Sequence, residues 1–213
     1  ASADLPTSRS MIFVSGDGER SMNTYLGISA DLGPDDVTDA VAGGTEILFL
    51  EGYLYDKPQG KAAFERAAAV CRAAGGQAGI ALSDPFCATR HREDFQRLVG
   101  ELDYVIGNGH EWAALYDCDL EAALNRAAKD TRLAVCTRSG DDVLLIRGEE
   151  RISVPVTRQV PVDATGAGDQ FAAGFLYGLA TGQPLATCGR MGCVAATEVI
   201  GHFGARPETS LAD

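Results

Sequence analysis

The chain has 213 residues, of which 46% are hydrophobic and 23% charged, so it can bury a full core within the ordinary size range of one globular domain. The formal net charge of −12 argues against a nucleic-acid surface, because phosphate backbones need clustered Lys and Arg. No stretch approaches the ~18 uninterrupted apolar residues of a membrane helix, and the N-terminus has no signal region, so we expect a cytoplasmic protein that avoids membranes.

The elements begin with a hairpin and continue as alternating strands and helices. Residues 11–14 and 20–26 flank Asp17-Gly18, which is a tight-turn signal. Strands are then predicted at 46–50, 78–82, 103–106 and 133–137, and helices at 34–41, 58–74, 91–99, 111–116 and 120–129. This alternation predicts an α/β fold with a mainly parallel sheet covered on both faces, and ligands at the carboxyl ends of its strands.

The pattern changes after residue 142. The apolar segments 143–146 and 152–156 flank a polar stretch, which predicts an antiparallel pair at the sheet edge. Small and apolar residues without a long polar face predict two further, substantially buried helices at 167–179 and 184–200.

Six cysteines are scattered without a C-x-x-C pair, which favours reduced thiols. Cys87 and His91 are separated by three residues and could suggest metal ligands. Because no second pair accompanies them, we favour a structural role for both.

The densest chemical signal is Thr165-Gly166-Ala167-Gly168-Asp169, which lies between a strand-like segment and a predicted helix. Such a turn directs unpaired N–H groups and the positive end of the helix dipole at one spot, so it can bind an anion. Asp169 could accept the proton of a hydroxyl that attacks a phosphate. The local pattern leaves open that Asp169 only caps the helix.

Residues 163–175 resemble the C-terminal signature of the ribokinase and adenosine kinase family of carbohydrate and nucleoside kinases. The resemblance implies that the backbone of Gly166, Ala167 and Gly168 forms an anion hole for the transferring phosphoryl group. It also implies that Asp169 deprotonates an acceptor hydroxymethyl. The implied fold is a three-layer αβα ribokinase-like sheet, and the implied cofactors are ATP and Mg²⁺.

A second segment, Asn108-Gly109-His110-Glu111, matches the N-x-x-E motif of the family. The resemblance associates Asn108 and Glu111 with the nucleotide phosphates and, indirectly, with Mg²⁺, which prefers oxygen ligands. Ordinary helix capping is the alternative interpretation of this pair.

The resemblance also suggests where the nucleotide binds. It assigns this role to Thr137, Arg138, Gly140, Thr165, Cys193, Ala196 and Gly204. Arg20 could reach the γ-phosphate as a charge stabiliser, or could be a solvated hairpin residue. In some relatives the backbone carbonyls at positions matching Asp163 and Thr165 bind a monovalent cation, so K⁺ is a further option.

The acceptor is less well defined. Residues 17–24 and 83–86 look like bacterial adenosine-kinase-like members, which favours the 5′-hydroxyl of adenosine, and Tyr53 could stack on the base or be an edge aromatic of the core. A sugar kinase acting on ribose, fructose or a related furanose is the alternative. A nucleotide-binding module without catalysis is a third hypothesis, against which the retained Asp169 argues.

Family members usually carry a further N-terminal part, which supplies the first strands, most of the lid and much of the acceptor pocket. We therefore interpret 1–213 as the C-terminal two thirds of a single ribokinase-like domain, with 9–27 as a lid or substrate-side hairpin. The missing part would leave an unpaired edge and exposed apolar surface, which favours a homodimer.

Overall fold

The N-terminal hairpin is present in the computed structural model, which describes residues 4–211. Strands β1 (Arg9–Val14) and β2 (Arg20–Tyr25) pair antiparallel, and both are exposed apart from the half-buried Val14. Gly18 has a φ of 79° in the turn between them, a conformation that glycine adopts without steric cost. The hairpin belongs to the first of two compact units, whose described parts are residues 4–29, 140–142 and 154–211.

The second unit, residues 30–139 and 143–153, is built on a six-stranded sheet whose strands lie side by side in chain order. The strands are β3 (Ile47–Glu51), β4 (Gln77–Ala81), β5 (Tyr104–Asn108), β6 (Ala134–Arg138), β7 (Asp141–Arg147) and β8 (Glu150–Val154). Strands β3 to β6 pair in parallel. Two residues join β7 to β8, and so short a connection allows only antiparallel pairing. The sheet is therefore mainly parallel with an antiparallel edge, as we predicted.

Helices connect these strands and bury one face each. They are α1 (Asp39–Gly43), α2 (Pro58–Ala73), α3 (Pro85–Arg90), α4 (Arg92–Glu101), α5 (Gly109–Tyr116) and α6 (Leu120–Asp130), with short 3₁₀ helices at Gly27–Asp31, Pro34–Asp36 and Gly52–Asp56. In α2, for example, Phe64, Ala67 and Cys71 recur at helical spacing on the buried side. Trp112 is fully buried and donates its indole N–H to the Val135 carbonyl at 3.1 Å, so its polar atom is satisfied inside the core.

Two predicted helices differ in their bounds. The segment predicted as one helix at 34–41 is a 3₁₀ helix followed by α1, because the Thr38 hydroxyl accepts from Val41 N at 3.3 Å and caps a new helix. The helix predicted at 91–99 is α4, and α3 before it was not predicted. The sequence nevertheless contains the start signals of α3. Asp84 is its N-cap and accepts from Cys87 N at 2.7 Å, and Pro85 occupies its first helical position.

The first unit contains two long helices, α7 (Ala167–Ala180) and α8 (Leu185–Val199), which pack closely. Small residues permit this approach, since a Cβ at Gly192 would lie 2.8 Å from Phe171. Their contact faces are buried, as expected, whereas Tyr177 on α7 is 62% exposed. Within the described part of the chain, we find no helix with the length and apolar character that a membrane crossing requires.

Candidate functional site

The glycine-rich segment forms the turn into α7. Gly166 is the N-cap residue, with φ 82° and ψ 0°, which lies in the left-handed region. A Cβ at this position would lie 2.8 Å from the Cβ of Ala205, so both backbone conformation and space require glycine. The Ala167 N–H donates to the Ala164 carbonyl at 3.3 Å, and the N–H groups that follow it in the first turn of α7 have no carbonyl one turn back in the helix. The turn therefore presents backbone donors and the positive helix end together.

Asp169 lies in the first turn of α7 and is exposed. The N-cap position is Gly166 rather than Asp169, and a glycine has no side chain with which to cap the helix. Gly168 beside it is also exposed, and a Cβ added to it would meet nothing within 4 Å. The carboxylate thus stands beside open backbone, where a substrate could approach it.

Asp163 holds the loop from the inside. Its side chain is almost fully buried, with Oδ1 accepting from Thr165 N at 2.9 Å and Oδ2 accepting from Gly204 N at 3.0 Å. Burial alone would raise the pKa of Asp163, but the Thr165 side chain and these two N–H groups together hold it below its usual value. The buried carboxylate therefore stays ionised and joins the loop to the segment after α8.

Thr165 contributes a buried hydroxyl. It lies near enough to the Asp163 carboxylate to lower that pKa, but its Oγ1 makes no hydrogen bond of normal geometry with the described residues. A buried hydroxyl without a partner costs free energy unless a ligand satisfies it. The atom is thus suited to contact a bound ion or ligand at the loop.

The hairpin turn of the same unit is attached to this loop. Ala164 donates its backbone N–H to the Gly18 carbonyl at 3.0 Å. Arg20 lies two residues after Gly18 and is exposed on β2. Its positive charge also lowers the pKa of Asp163, although less than the hydrogen bonds do. Its guanidinium thus acts electrostatically on the loop.

Replacing Gly166 with Ala should destabilise the protein. The left-handed conformation costs a residue with a Cβ about 1–2 kcal/mol, and the contact with Ala205 adds to that cost. Urea unfolding should show the loss. Gly168→Ala is the matched control, since its site is open and helical, and we expect no comparable loss of stability there. Equal unfolding free energies for the two variants would contradict this interpretation of the loop.

The sheet unit gathers polar side chains at the carboxyl ends of neighbouring strands. Asn108 caps α5, because its Oδ1 accepts from His110 N at 2.9 Å and from Glu111 N at 3.0 Å. Glu111 returns the contact, with Oε2 accepting from Asn108 N at 2.8 Å and Oε1 from Asn108 Nδ2 at 2.5 Å. The capping alternative for N-x-x-E is therefore observed, and a magnesium role stays a prediction.

Glu111 is only 7% exposed. Burial raises its pKa to about 7, against the lowering effect of the Asn108 backbone, and the charges of Glu51 and Asp84 add to the rise. Burial therefore favours the protonated form of this carboxyl more than in an exposed glutamate. It lies among acidic groups whose repulsion a bound cation would relieve.

Sequence reasoning did not single out Glu51, which ends β3. Ser83, with a φ of 74° after β4, donates its hydroxyl to the Glu51 carboxylate. Tyr53 donates its phenol O–H to Asp84 Oδ2 at 2.5 Å, while 47% of the residue stays exposed. Burial, followed by the contact with Asp84, raises the pKa of Tyr53, so it remains a neutral donor. A charged residue at the end of an apolar strand was the available signal for Glu51.

The predicted site residues fall in both units. Tyr53, Asn108, Glu111, Thr137 and Arg138 belong to the sheet unit, whereas Arg20, Gly140, Asp163, Thr165, Gly166, Ala167, Gly168, Asp169, Cys193, Ala196 and Gly204 belong to the other unit. Hydrogen bonds directly join Asp163, Thr165 and Gly204. Cys193 is 8% exposed on α8, so its thiol offers little surface to a ligand.

Comparison with known proteins agrees with this arrangement. The model of the pfkB family of carbohydrate kinases matches residues 1–211. The crystal structure of adenosine kinase from Sinorhizobium meliloti superposes with a TM-score of 0.94 and 45% identity, covering 97% of this chain and 64% of that one. The structure of a probable sugar kinase from Rhizobium etli gives the same values.

A curated relative, an uncharacterized sugar kinase from Archaeoglobus fulgidus, is 34% identical over 121 residues, which is 56% of this chain. The chain spans 48% of that relative and 64% of each of the two solved structures. These matches confirm the three-layer ribokinase-like α/β fold and the family resemblance that the glycine-rich motif indicated.

Proposed function

Because the chain belongs to the pfkB family of carbohydrate kinases, we propose that the protein moves the γ-phosphoryl group of ATP to a nucleoside hydroxymethyl, specifically the 5′-hydroxyl of adenosine. The observation that carries the proposal is the exposed Asp169 carboxylate beside the open backbone of Gly168, at the start of α7. The likeness to the adenosine kinase from Sinorhizobium meliloti over almost the whole chain supports this acceptor.

The transfer follows from the chemistry of this turn. Asp169 accepts the proton of the acceptor hydroxyl while its oxygen forms a bond to the γ-phosphorus. The bond from that phosphorus to the bridging oxygen breaks, and ADP leaves with the electron pair. Backbone N–H groups of Gly166, Ala167 and Gly168 stabilise the charge on the transferring group, and Arg20 adds a positive charge.

Mg²⁺ fits the sheet unit through water rather than by direct ligation. The side chains of Asn108 and Glu111 already bond each other, so they can orient a hydrated ion through its water shell. When bound with the nucleotide, Mg²⁺ neutralises phosphate charge. For K⁺, the backbone carbonyls at Asp163 and Thr165 would supply oxygen ligands close to the ionised Asp163 carboxylate.

The nucleotide positions follow from the family resemblance. Thr137 and Arg138 end β6, and Gly140, with a φ of 95°, lies in the turn before β7. At Cys193 the backbone is the better candidate for contact, because the thiol is buried. We place the adenine between this part of α8, with Ala196, and the turn at Gly204.

Tyr53 is our candidate for recognition of the base. Its hydroxyl is held by Asp84 while its ring remains half exposed, which leaves a face for stacking. Tyr53→Ala should raise KM for adenosine roughly 5- to 150-fold, the equivalent of about 1–3 kcal/mol of stacking, without changing KM for ATP. Tyr177→Ala, on the exposed side of α7, is the control and should change neither. An unchanged KM for adenosine in Tyr53→Ala would remove this residue from the acceptor site.

The direct test is coupled ADP release by the full-length protein with adenosine, ribose and fructose, each compared by kcat/KM. We expect the highest value with adenosine. A preference for a furanose sugar would instead establish the alternative that the Rhizobium etli relative, a probable sugar kinase, represents. ADP release with none of the three above background would contradict the catalytic proposal and favour a binding module. The predicted homodimer can be checked by sedimentation of the same protein.

A further inference from the structure

Three side chains outside the kinase motifs converge in the sheet unit. Asp56 ends the 3₁₀ helix Gly52–Asp56, Cys87 lies in α3, and His91 separates α3 from α4. One potential ligand atom from each lies within 4.8 Å of the other two. We propose that Asp56, Cys87 and His91 bind a thiophilic divalent cation, for which Zn²⁺ is the best fit.

The donor set decides the class of metal. A thiolate, an imidazole and a carboxylate suit Zn²⁺ and its first-row neighbours, whereas Mg²⁺ prefers oxygen ligands throughout. This site therefore differs in kind from the magnesium role proposed for Asn108 and Glu111, and it does not depend on kinase activity. Three protein ligands leave a fourth tetrahedral position for water or another donor.

The distances require only local adjustment. His91 Nε2 and Asp56 Oδ1 are 2.7 Å apart, and they would separate to about 3.3 Å around a tetrahedral ion with ligand bonds of about 2.0–2.1 Å. The sulfur would lie about 3.5 Å from each of these atoms if its bond to the metal is about 2.3 Å. The sulfur atom therefore has to approach each of the other two ligand atoms by no more than about 1.3 Å from the observed limit of 4.8 Å.

The surroundings already orient the three side chains. His91 N donates to the Cys87 carbonyl at 3.0 Å, which fixes the spacing of these two residues. Arg90 binds both oxygens of Asp56, at 2.9 Å and 3.0 Å, and holds the carboxylate plane. The Tyr55 ring packs edge-on against the imidazole at 6.0 Å between centroids. Such outer contacts commonly determine how firmly metal ligands are held.

Access and charge are compatible with binding. The Cys87 side chain is fully buried, but those of His91 and Asp56 are 16% and 36% exposed, so a cation can enter from their side. Burial, followed by the charges of Asp56 and Asp84, raises the pKa of Cys87 to about 12. A metal ion must therefore displace the thiol proton when it binds. The positive charge of the metal would offset the charges of Asp56 and Asp84, which destabilise the thiolate in its absence.

The structure thereby changes our interpretation of Cys87 and His91. We favoured a structural role because the sequence offered no further ligand near them. Asp56 supplies that ligand from 35 residues before His91, which the spacing of the pair alone could not indicate.

Cobalt substitution tests the proposal. The protein is titrated with Co²⁺ in excess Mg²⁺, which occupies oxygen-only sites. We expect one thiolate-to-Co²⁺ charge-transfer band at one equivalent, reversed by Zn²⁺. Cys87→Ser should abolish the band, and His91→Asn, which keeps a polar partner for Asp56, should weaken Co²⁺ binding at least ~10-fold. Cys136→Ser, at a thiol that is also fully buried, is the matched control and should leave the band unchanged.

Three results would overturn the site. They are absence of the band from the wild type, persistence of the band in Cys87→Ser, and unchanged Co²⁺ affinity in His91→Asn. Circular dichroism of each variant shows whether it is folded. Should Cys87→Ser fail to fold, the less buried His91→Asn still decides, because its expected loss of affinity does not depend on the other variant.

Discussion

Asp169→Asn should lower turnover by at least ~10²-fold and leave ATP binding nearly unchanged. The amide keeps the size of the side chain but can no longer accept the proton of the attacking hydroxyl. Because Asp169 is exposed and makes no capping hydrogen bond in the structure, the substitution should not disturb α7. Coupled ADP release gives kcat, and calorimetry of ATP binding gives Kd.

Glu121→Gln is the matched control for this loss. Glu121 is likewise an exposed carboxylate in the first turn of a helix, α6, so its removal tests the general effect of a charge near a helix start. We expect its turnover to equal that of the wild type. Near wild-type turnover in Asp169→Asn, or an equal loss in both variants, would remove Asp169 from the role of general base.

Glu111→Gln should change how stability depends on pH. Burial raises the pKa of Glu111 in the folded chain to about 7, from an ordinary value of 4.5. Between these values the folded chain keeps a proton that the unfolded chain has lost, so wild-type stability falls as pH rises and levels off above pH 7. The shift corresponds to about 3 kcal/mol. Gln cannot ionise, so the variant should lack this decline.

Urea unfolding between pH 4.5 and pH 8, without divalent cations, measures the effect. The unfolding free energy of Glu111→Gln minus that of the wild type should increase by up to about 3 kcal/mol as pH rises across this range. Glu93→Gln is the control, because Glu93 is an exposed carboxylate in the first turn of α4. Parallel pH profiles for the wild type and Glu111→Gln would show that burial of Glu111 does not penalise its charge.

The central strands were predictable because their residues are apolar and continuous, as parallel strands buried on both faces require. Strand β7 begins two residues before the predicted segment 143–146 and ends one residue after it, and β8 lies two residues before the predicted segment 152–156. Asp141, Asp142 and Arg147 extend β7, and their polarity resembles a loop although they pair at the sheet edge. Helix α3 was missed because six residues carry too little periodicity, although Asp84 and Pro85 marked its start.

The candidate site likewise contains features that the sequence predicts and others that it does not. The turn at Gly166 and the cap between Asn108 and Glu111 are local features, so the sequence displays them. The contact of Asp163 with Gly204 joins residues 41 positions apart, and that of His91 with Asp56 joins residues 35 apart. Periodicity and motif spacing describe only local geometry, and such pairs become visible only when the chain is folded.

The bond between Asp163 and Gly204 has a consequence for the C-terminal segment. That segment carries no reacting group, yet it supports the loop in three places: Ile200 accepts from Val162 N at 2.8 Å, Gly204 donates to Asp163, and Ala205 packs against Gly166. A cut in the peptide chain near His202 would therefore release the glycine-rich turn into α7 while the core of the sheet unit, built from residues between 50 and 146, stays intact. The catalytic role that we propose for this turn could thus be lost without unfolding of the sheet unit.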